Sequence, residues 1–360
     1  HSAVYVKNLD RTITIYTRSQ MRYVWMITLR HWRERLNFDP VSPLLSSGDE
    51  AAEYFAKRDL LEESVEPISC VWRLPGVQKR IQKQRPDGSW RYPGKTKPIY
   101  PKHHYSLLET WKIFRSLVEE YGFTKENPTA RKAAEFIFSC QTNHGDIRGF
   151  IGNQYATYYT GAIMAVLIKA GYEDDPRIER GFKWLLSMRQ DDGGWTVPIL
   201  TRKFDGKTIH RLTSRYGEPV EPDKTKPSSH NWTDMVLRAF AAHPRYRKSE
   251  EARTAANLLK GQFFQPDHYS SYRAASYWVR FLFWWPNLMT ALESLSLMGY
   301  SSGDPDIQRA LDWFTDHQEP SGLWKTTYVE GKKESENERN KERKLWLSLG
   351  ICRMFKRLYG

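Results

Sequence analysis

The chain is 360 residues long, 40% hydrophobic and 14% aromatic, with 14 Trp and a formal net charge of +13. That much apolar material excludes a disordered chain, and no apolar run approaches the length of a membrane span. The excess of Lys and Arg points to anionic partners (phosphate groups, acidic glycans, nucleic acid or a membrane surface) or to a basic solvated exterior.

Residues 1–48 read as a basic, aromatic arm and linker. TITIY (Thr12–Tyr16) alternates like a short strand, Arg22–Leu36 suits a helix, and a Pro/Ser/Gly linker follows. A helix then starts near Asp49 with Ala52, Phe55, Ala56 and Leu60 on one face. From there to residue 360 the pattern is one domain of paired helices: hairpins over 50–83, 104–140, 153–189, 230–262 and 286–317, then a last helix over 342–358. Asn153–Lys169 and Leu288–Met298 are apolar nearly all round, whereas Pro176–Arg189 and Pro305–His317 are amphipathic. Buried helices alternating with half-buried ones make an inner and an outer ring. The expected fold class is therefore all-α, an α/α toroid of about six helical hairpins. The long connections 91–102, 146–152, 196–229, 266–285 and 325–342 then meet at one end, where the inner helices begin. Cys70, Cys140 and Cys352 are scattered without metal spacing, and no charged-then-apolar leader opens the sequence. Both features lead us to expect reduced thiols and a cytoplasmic setting.

A fixed design punctuates the helices at intervals of roughly 50–70 residues. Gly122, Gly171 and Gly299 stop apolar helices at the same distance before Gln141, Gln190 and Gln318. Asn127-Pro128, Asp175-Pro176 and Asp304-Pro305 restart them, as an N-cap followed by Pro at the first helical position does. A Gln and a Gly turn close each unit, with Trp at Gln84–Trp90, Gln190–Trp195 and Gln318–Trp324 and Ile147 in the Trp place after Gln141. The copy that reaches Gln262 lacks its Gly and Trp.

The block Arg309, Ala310, Trp313, Gln318, Gly322, Trp324 resembles the QW motif of the terpenoid cyclases and protein prenyltransferases, and Lys132, Ala133, Phe136, Ile137, Gln141, Gly145 match it in part. The resemblance covers roughly residues 50–340 and implies a toroid of the squalene-cyclase type, in which the Gln caps a neighbouring helix and the Trp stacks on it. The superfamily's usual chemistry does not carry over: there is no Asp-x-Asp-Asp acid, and the zinc-ligand contexts of the prenyltransferases are missing. Asp174-Asp175 and Asp191-Asp192 fall in turns. No metal and no cofactor are expected.

The candidate site residues lie where inner helices begin. His230 and Asp234, one helical turn apart, are expected to pair for acid–base work, with Tyr155 and Tyr159 as further catalytic candidates. His104, Asn153, Trp232, Tyr272, Arg273, Arg280, Trp284, Trp285 and Asn287 are candidates for substrate binding. Aromatics could face a carbocation or a sugar, and guanidinium groups a phosphate or carboxylate. Three readings follow. The first is a terpenoid cyclase- or prenyltransferase-like protein that holds an anionic, partly apolar substrate such as an isoprenoid diphosphate in an aromatic cavity with a basic mouth. The second is a polysaccharide lyase or other enzyme on acidic glycans, in which Tyr155 or Tyr159 with His230 removes the proton. The third is a non-catalytic scaffold. The basic exterior also suits peripheral membrane contact, and the lack of any recognition motif argues against nucleic acid.

Overall fold

The computed structural model describes residues 5–9, 12–16, 32–149, 151–269, 273–281 and 285–360. Strands β1 (Tyr5–Leu9) and β2 (Thr12–Tyr16) pair antiparallel, with Lys7 opposite Thr14. Everything else regular among the described residues is helical. Of the helix expected over Arg22–Leu36, the described part forms only a 3-10 turn, Arg33–Arg35.

The α-helices, in chain order, are α1 (Val41–Leu45), α2 (Glu50–Phe55), α3 (Ser69–Trp72), α4 (Pro75–Ile81), α5 (His104–Glu119), α6 (Pro128–Ser139), α7 (Thr157–Leu167), α8 (Pro176–Ser187), α9 (Gly206–Leu212), α10 (His230–Ala242), α11 (Glu250–Gly261), α12 (Leu288–Leu297), α13 (Pro305–Asp316) and α14 (Glu338–Tyr359). Apart from the β1–β2 hairpin, the described residues are all-α. One expectation needs correction: 50–83 is not a simple hairpin. After α2 and a π turn, Pro67 and Pro75 cut the chain into the short helices α3 and α4, because each proline removes a donor and clashes with the preceding turn.

The chain divides into two compact units. The first gathers residues 1–65, 301–324 and 341–360, so the boundary expected at 48/49 falls inside it. Within it, Gln318 Nε2 donates to Phe38 O at 3.0 Å and to Gly322 O at 2.9 Å. Trp324 Nε1 donates to Phe314 O at 2.7 Å, and Arg353 Nε to Asp59 Oδ2 at 2.8 Å.

The second unit, residues 66–300 and 325–340, holds the candidate site. Its core helices pack in sequence: α5 on α7, α7 on α10, α10 on α12, while α6, α8 and α11 flank α5, α7 and α10. All of α7 is buried, which explains its apolar circumference. Gly161 permits the α7–α10 approach: a Cβ there would lie 2.5 Å from Val236 Cα. The flanking helices start as expected, with Asn127 Oδ1 accepting from Thr129 N and Asp175 Oδ1 from Arg177 N, both at 2.9 Å.

The glutamines tie one flanking helix to the next. Gln84 Nε2 donates to Thr129 O at 3.0 Å, at the start of α6; Gln141 Nε2 donates to Arg177 O at 2.9 Å, at the start of α8. Gln190 departs from the pattern. It donates to Asp223 O and Lys226 O, because the long 196–229 connection inserts a turn where a helix start would stand. The indoles close back on their own helices, Trp90 Nε1 on Arg80 O at 2.9 Å and Trp195 Nε1 on Leu185 O at 2.7 Å.

Candidate functional site

The five long connections touch one another within this unit. Arg215 N donates to Ile99 O at 2.6 Å, joining 91–102 to 196–229. Gln154 Nε2 donates to Leu212 O and Glu218 O, and Asn153 Nδ2 to Gly217 O, joining the start of α7 to 196–229. Tyr269 Oη donates to Pro227 O at 2.6 Å, bringing in 266–285. Phe281 N donates to Thr326 O at 2.9 Å, and Arg280 bridges Thr327, bringing in 325–342. The sequence places these connections at the core-helix starts, and the hydrogen bonds make them one continuous group.

Beneath them runs a wall of aromatic rings. Trp111 of α5 meets Tyr159 of α7 edge-on at 5.9 Å between centroids. Tyr159 lies 4.5 Å from Tyr158, which lies 4.5 Å from Trp232 of α10. Trp232 and Trp285, the latter just before α12, cross at 90° and 5.3 Å. Three core helices and the approach to a fourth thus contribute to one run of packed rings, and tilted or edge-on pairs of this kind add to the burial energy. Trp285 is half-buried and the other four are buried.

The expected His230–Asp234 pair does not form. His230 Nε2 lies 3.6 Å from Asp267 Oδ2, and its ring stacks on Trp278 at 4.7 Å. Asp267, buried, also accepts from Ser229 Oγ at 2.7 Å, Asn231 N at 3.1 Å and Asn231 Nδ2 at 2.8 Å, so it serves the start of α10 as a cap from outside the helix. Burial pushes His230 below its usual value against the pull of Asp267. The residue that caps α10 from its own chain is Ser229.

Asp234 instead faces α12 and its own helix. It is fully buried; Oδ2 accepts from Arg238 Nη2 at 2.6 Å and from Thr290 Oγ1 at 2.9 Å. Oδ1 has no hydrogen-bond partner among the described residues. Burial holds its carboxyl above the usual carboxylate range, although Arg238 and Thr290 pull the other way. Lys169, just past the end of α7, joins Glu119 of α5 at 2.8 Å and approaches Glu293 of α12 at 3.8 Å, and Arg115 of α5 lies 3.8 Å from Glu119.

The remaining candidates are dispersed over these features. Tyr155 lies under the Arg148 guanidinium at 5.3 Å and near Glu221; burial first, then that carboxylate, hold its phenol above the usual range, which disfavours the phenolate a base would need. Tyr155, Tyr159 and His230 have separate partners and form no common acid–base group. His104 is buried and stacked on Tyr100 at 4.4 Å, and burial lowers it to about 4. Asn153 is engaged by Arg148 and Gly217, and Asn287 caps α12 in a capping box with Thr290. Arg273 is exposed; Arg280 lies 5.7 Å from the Tyr277 ring, with its Nε buried and unpartnered among the described residues. Tyr272 and Trp284 lie outside the described residues. Sequence reasoning missed Asp267, Thr290, Trp111 and Arg238; only Arg238, four residues after Asp234, left an (i, i+4) signal. Among the described residues no three His, Cys, Asp or Glu side chains converge as metal ligands.

Residues 110–214 match the family model of the squalene-hopene cyclase C-terminal domain. A squalene–hopene cyclase of Bradyrhizobium diazoefficiens is 25% identical over 132 residues, which are 33% of this chain and 18% of that protein's length. Among solved structures, a polysaccharide lyase has a TM-score of 0.48 at 14% identity, covering 92% of this chain and 97% of its own. The type II terpene cyclase MstE from Scytonema has a TM-score of 0.41 at 11% identity, covering 98% and 91%. Residues 110–214 therefore resemble the squalene–hopene cyclase C-terminal domain, and the chain covers less than a fifth of the curated relative it matches.

Proposed function

We propose that the second unit binds a partly apolar, anionic small molecule of isoprenoid character against the aromatic wall, and that Asp234 serves it as a proton donor. The observation that carries this reading is the wall itself, with Trp111, Tyr158, Tyr159, Trp232 and Trp285 in one run of ring contacts across neighbouring core helices. Such a surface favours an apolar chain and stabilises positive charge on it. Arg280 and Arg273, on the connection that leads to α12, suit the anionic group, as phosphate or carboxylate recognition by guanidinium would require. Burial raises the Asp234 carboxyl above its usual range, a shift in the direction that favours donation of a proton, and Asp234 has one oxygen unpartnered among the described residues.

Native mass spectrometry of the purified chain tests the ligand class, and titration with geranylgeranyl diphosphate under tryptophan fluorescence tests affinity. A retained prenyl-like molecule and saturable quenching, weakened about tenfold by Trp232→Ala, are expected. A retained oligosaccharide, or the same affinity with Trp232→Ala, would overturn the reading.

A further inference from the structure

Within the second unit, residues 325–340 fold onto the connection that leads to α12. The 3-10 turn Ala275–Val279 ends at Arg280, whose backbone is extended. There Arg280 bridges Thr327 antiparallel, with Phe281 N donating to Thr326 O at 2.9 Å and Tyr328 N to Val279 O at 3.0 Å. The two bonds flank the Arg280–Thr327 pair instead of joining it. In a pair of that kind the side chains leave the same face and the Cα atoms lie about 4.5 Å apart, closer than in the bonded kind. Thr327 is buried, so it backs the stem of Arg280 and limits the directions its guanidinium can take. Upstream, Trp278 stacks on His230, so the turn that ends in Arg280 rests on the start of α10.

One carboxylate fastens the base of this arrangement. Over residues 330–339 Glu334 alone is not exposed. It turns inward, and its Oε1 accepts from Thr326 N at 2.5 Å and from Thr326 Oγ1 at 2.8 Å. The hydroxyl has a single proton, shared between Glu334 Oε1 and Asn340 Oδ1 at 3.0 Å. A charged acceptor strengthens such bonds. Thr326 and Asn340 are buried, whereas the neighbours of Glu334 on both sides stand in solvent.

Arg280 is short of an acceptor. Its Nε is buried and has no hydrogen-bond partner among the described residues. A buried donor left unmade is costly, and an oxyanion brought by a ligand would satisfy it with a charge-assisted bond. Phosphate, diphosphate and carboxylate share that chemistry.

We propose that residues 325–334 are a strap that holds Arg280 toward the ligand's anionic group, with Glu334 as its positioning residue. Glu334 acts through Thr326 and the Arg280–Thr327 bridge and does not itself meet the ligand. This role rests on the ligand reading above and adds to it which residue reads the anion and what aligns that residue.

Two measurements test it. The first, hydrogen exchange of the Phe281 and Tyr328 amides, needs no ligand. Glu334→Ala should speed both by at least about tenfold, and Glu334→Gln, which keeps an acceptor for Thr326 N, should speed them less. The second compares the affinities for geranylgeranyl diphosphate and geranylgeraniol by tryptophan fluorescence. Wild type should prefer the diphosphate. Glu334→Ala and Arg280→Ala should each weaken the diphosphate about tenfold and leave the alcohol unchanged. The double variant should lose no more than Arg280→Ala alone, because the two residues act in series. Unchanged exchange in Glu334→Ala, equal loss of both ligands, or additive losses in the double variant would overturn the proposal and leave the ligand reading standing. A wild-type chain that holds the alcohol as tightly as the diphosphate would overturn the anionic part of the ligand reading, and with it the task given to Arg280.

Discussion

Thr233 Oγ1 accepts the backbone N–H of Trp195 at 2.9 Å and lies 3.3 Å from the Trp195 carbonyl. The same relation holds between Thr110 and Trp90 N, between Thr160 and Ile147 N, and between Ser348 and Trp324 N, at 2.9, 2.9 and 3.1 Å. A hydroxyl on a core helix thus receives each crossover at the residue that ends the Gln–Gly unit. Thr233→Val removes the acceptor and leaves a buried N–H without a partner. The expected cost is about 1–3 kcal/mol in urea-denaturation free energy, with Thr233→Ser near wild type. Equal stability of the two variants would mean that packing of the threonine methyl, rather than the hydrogen bond, holds the crossover.

Gly145 carries φ +104°, and a Cβ there would stand 2.5 Å from Arg180 O. The strained dihedral and the backbone contact act together, so Gly145→Ala should lower stability by at least about 2 kcal/mol. Gly206 has open space around its would-be Cβ, and Gly206→Ala should remain within ~0.5 kcal/mol of wild type. Comparing the two melts checks that the Gln–Gly turn, and not glycine content, is what the fold depends on.

What the sequence could convey about the fold rested on local signals. Asn127-Pro128 and Asp175-Pro176 specify helix starts through their own side chains and rings, and those helices begin there. The Gln141 partner could be inferred only through a resemblance, since its acceptor Arg177 O is far along the chain. Pro67 and Pro75 were equally local signals, and they outweigh the apolar face that suggested a hairpin over 50–83. The site was less legible. Helical spacing put His230 and Asp234 on one face, but burial sets partners by what the neighbouring element supplies. Asp267 arrives from the 266–285 connection and Thr290 from α12, and no period within α10 encodes either. The aromatic wall was legible as residue types at helix starts; Trp111, deeper in α5, was not.

His104 offers a pH signature. Burial, with His103 nearby, lowers it from 6.5 to about 4 in the folded chain. The unfolded chain therefore takes up a proton near pH 6.5 that the native state refuses. Stability from this group is complete above pH 6.5 and is lost as pH falls towards 4, by up to about 3 kcal/mol. His104→Phe can keep the stack on Tyr100 and has nothing to protonate. Its urea-denaturation free energy should fall less than that of wild type between pH 6.5 and 4, and parallel curves would show that His104 is solvated in solution.

Asp234 gives the opposite sign, and its test also bears on the proposed proton donor. Its folded value lies above 3.8, with burial as the main cause. In the window just above 3.8 the native state binds a proton that the unfolded chain has released, so stability falls as pH rises through that window. Asp234→Asn retains an acceptor for Arg238 and Thr290 and places an amide where Oδ1 stands. It removes the titration without emptying the site. The variant should therefore fold, lose less stability than wild type as pH is raised above 3.8, and lack any proton-dependent turnover of a bound isoprenoid. The alternative is an ionised Asp234 locked to Arg238. In that case Asp234→Asn would leave a buried guanidinium without its counter-ion and destabilise the chain by about 3–5 kcal/mol at neutral pH. Denaturation curves of the two proteins at pH 5 and pH 8 separate these outcomes: a narrowing gap at pH 8 supports the acid, and a large fixed loss assigns Asp234 to the ion pair alone.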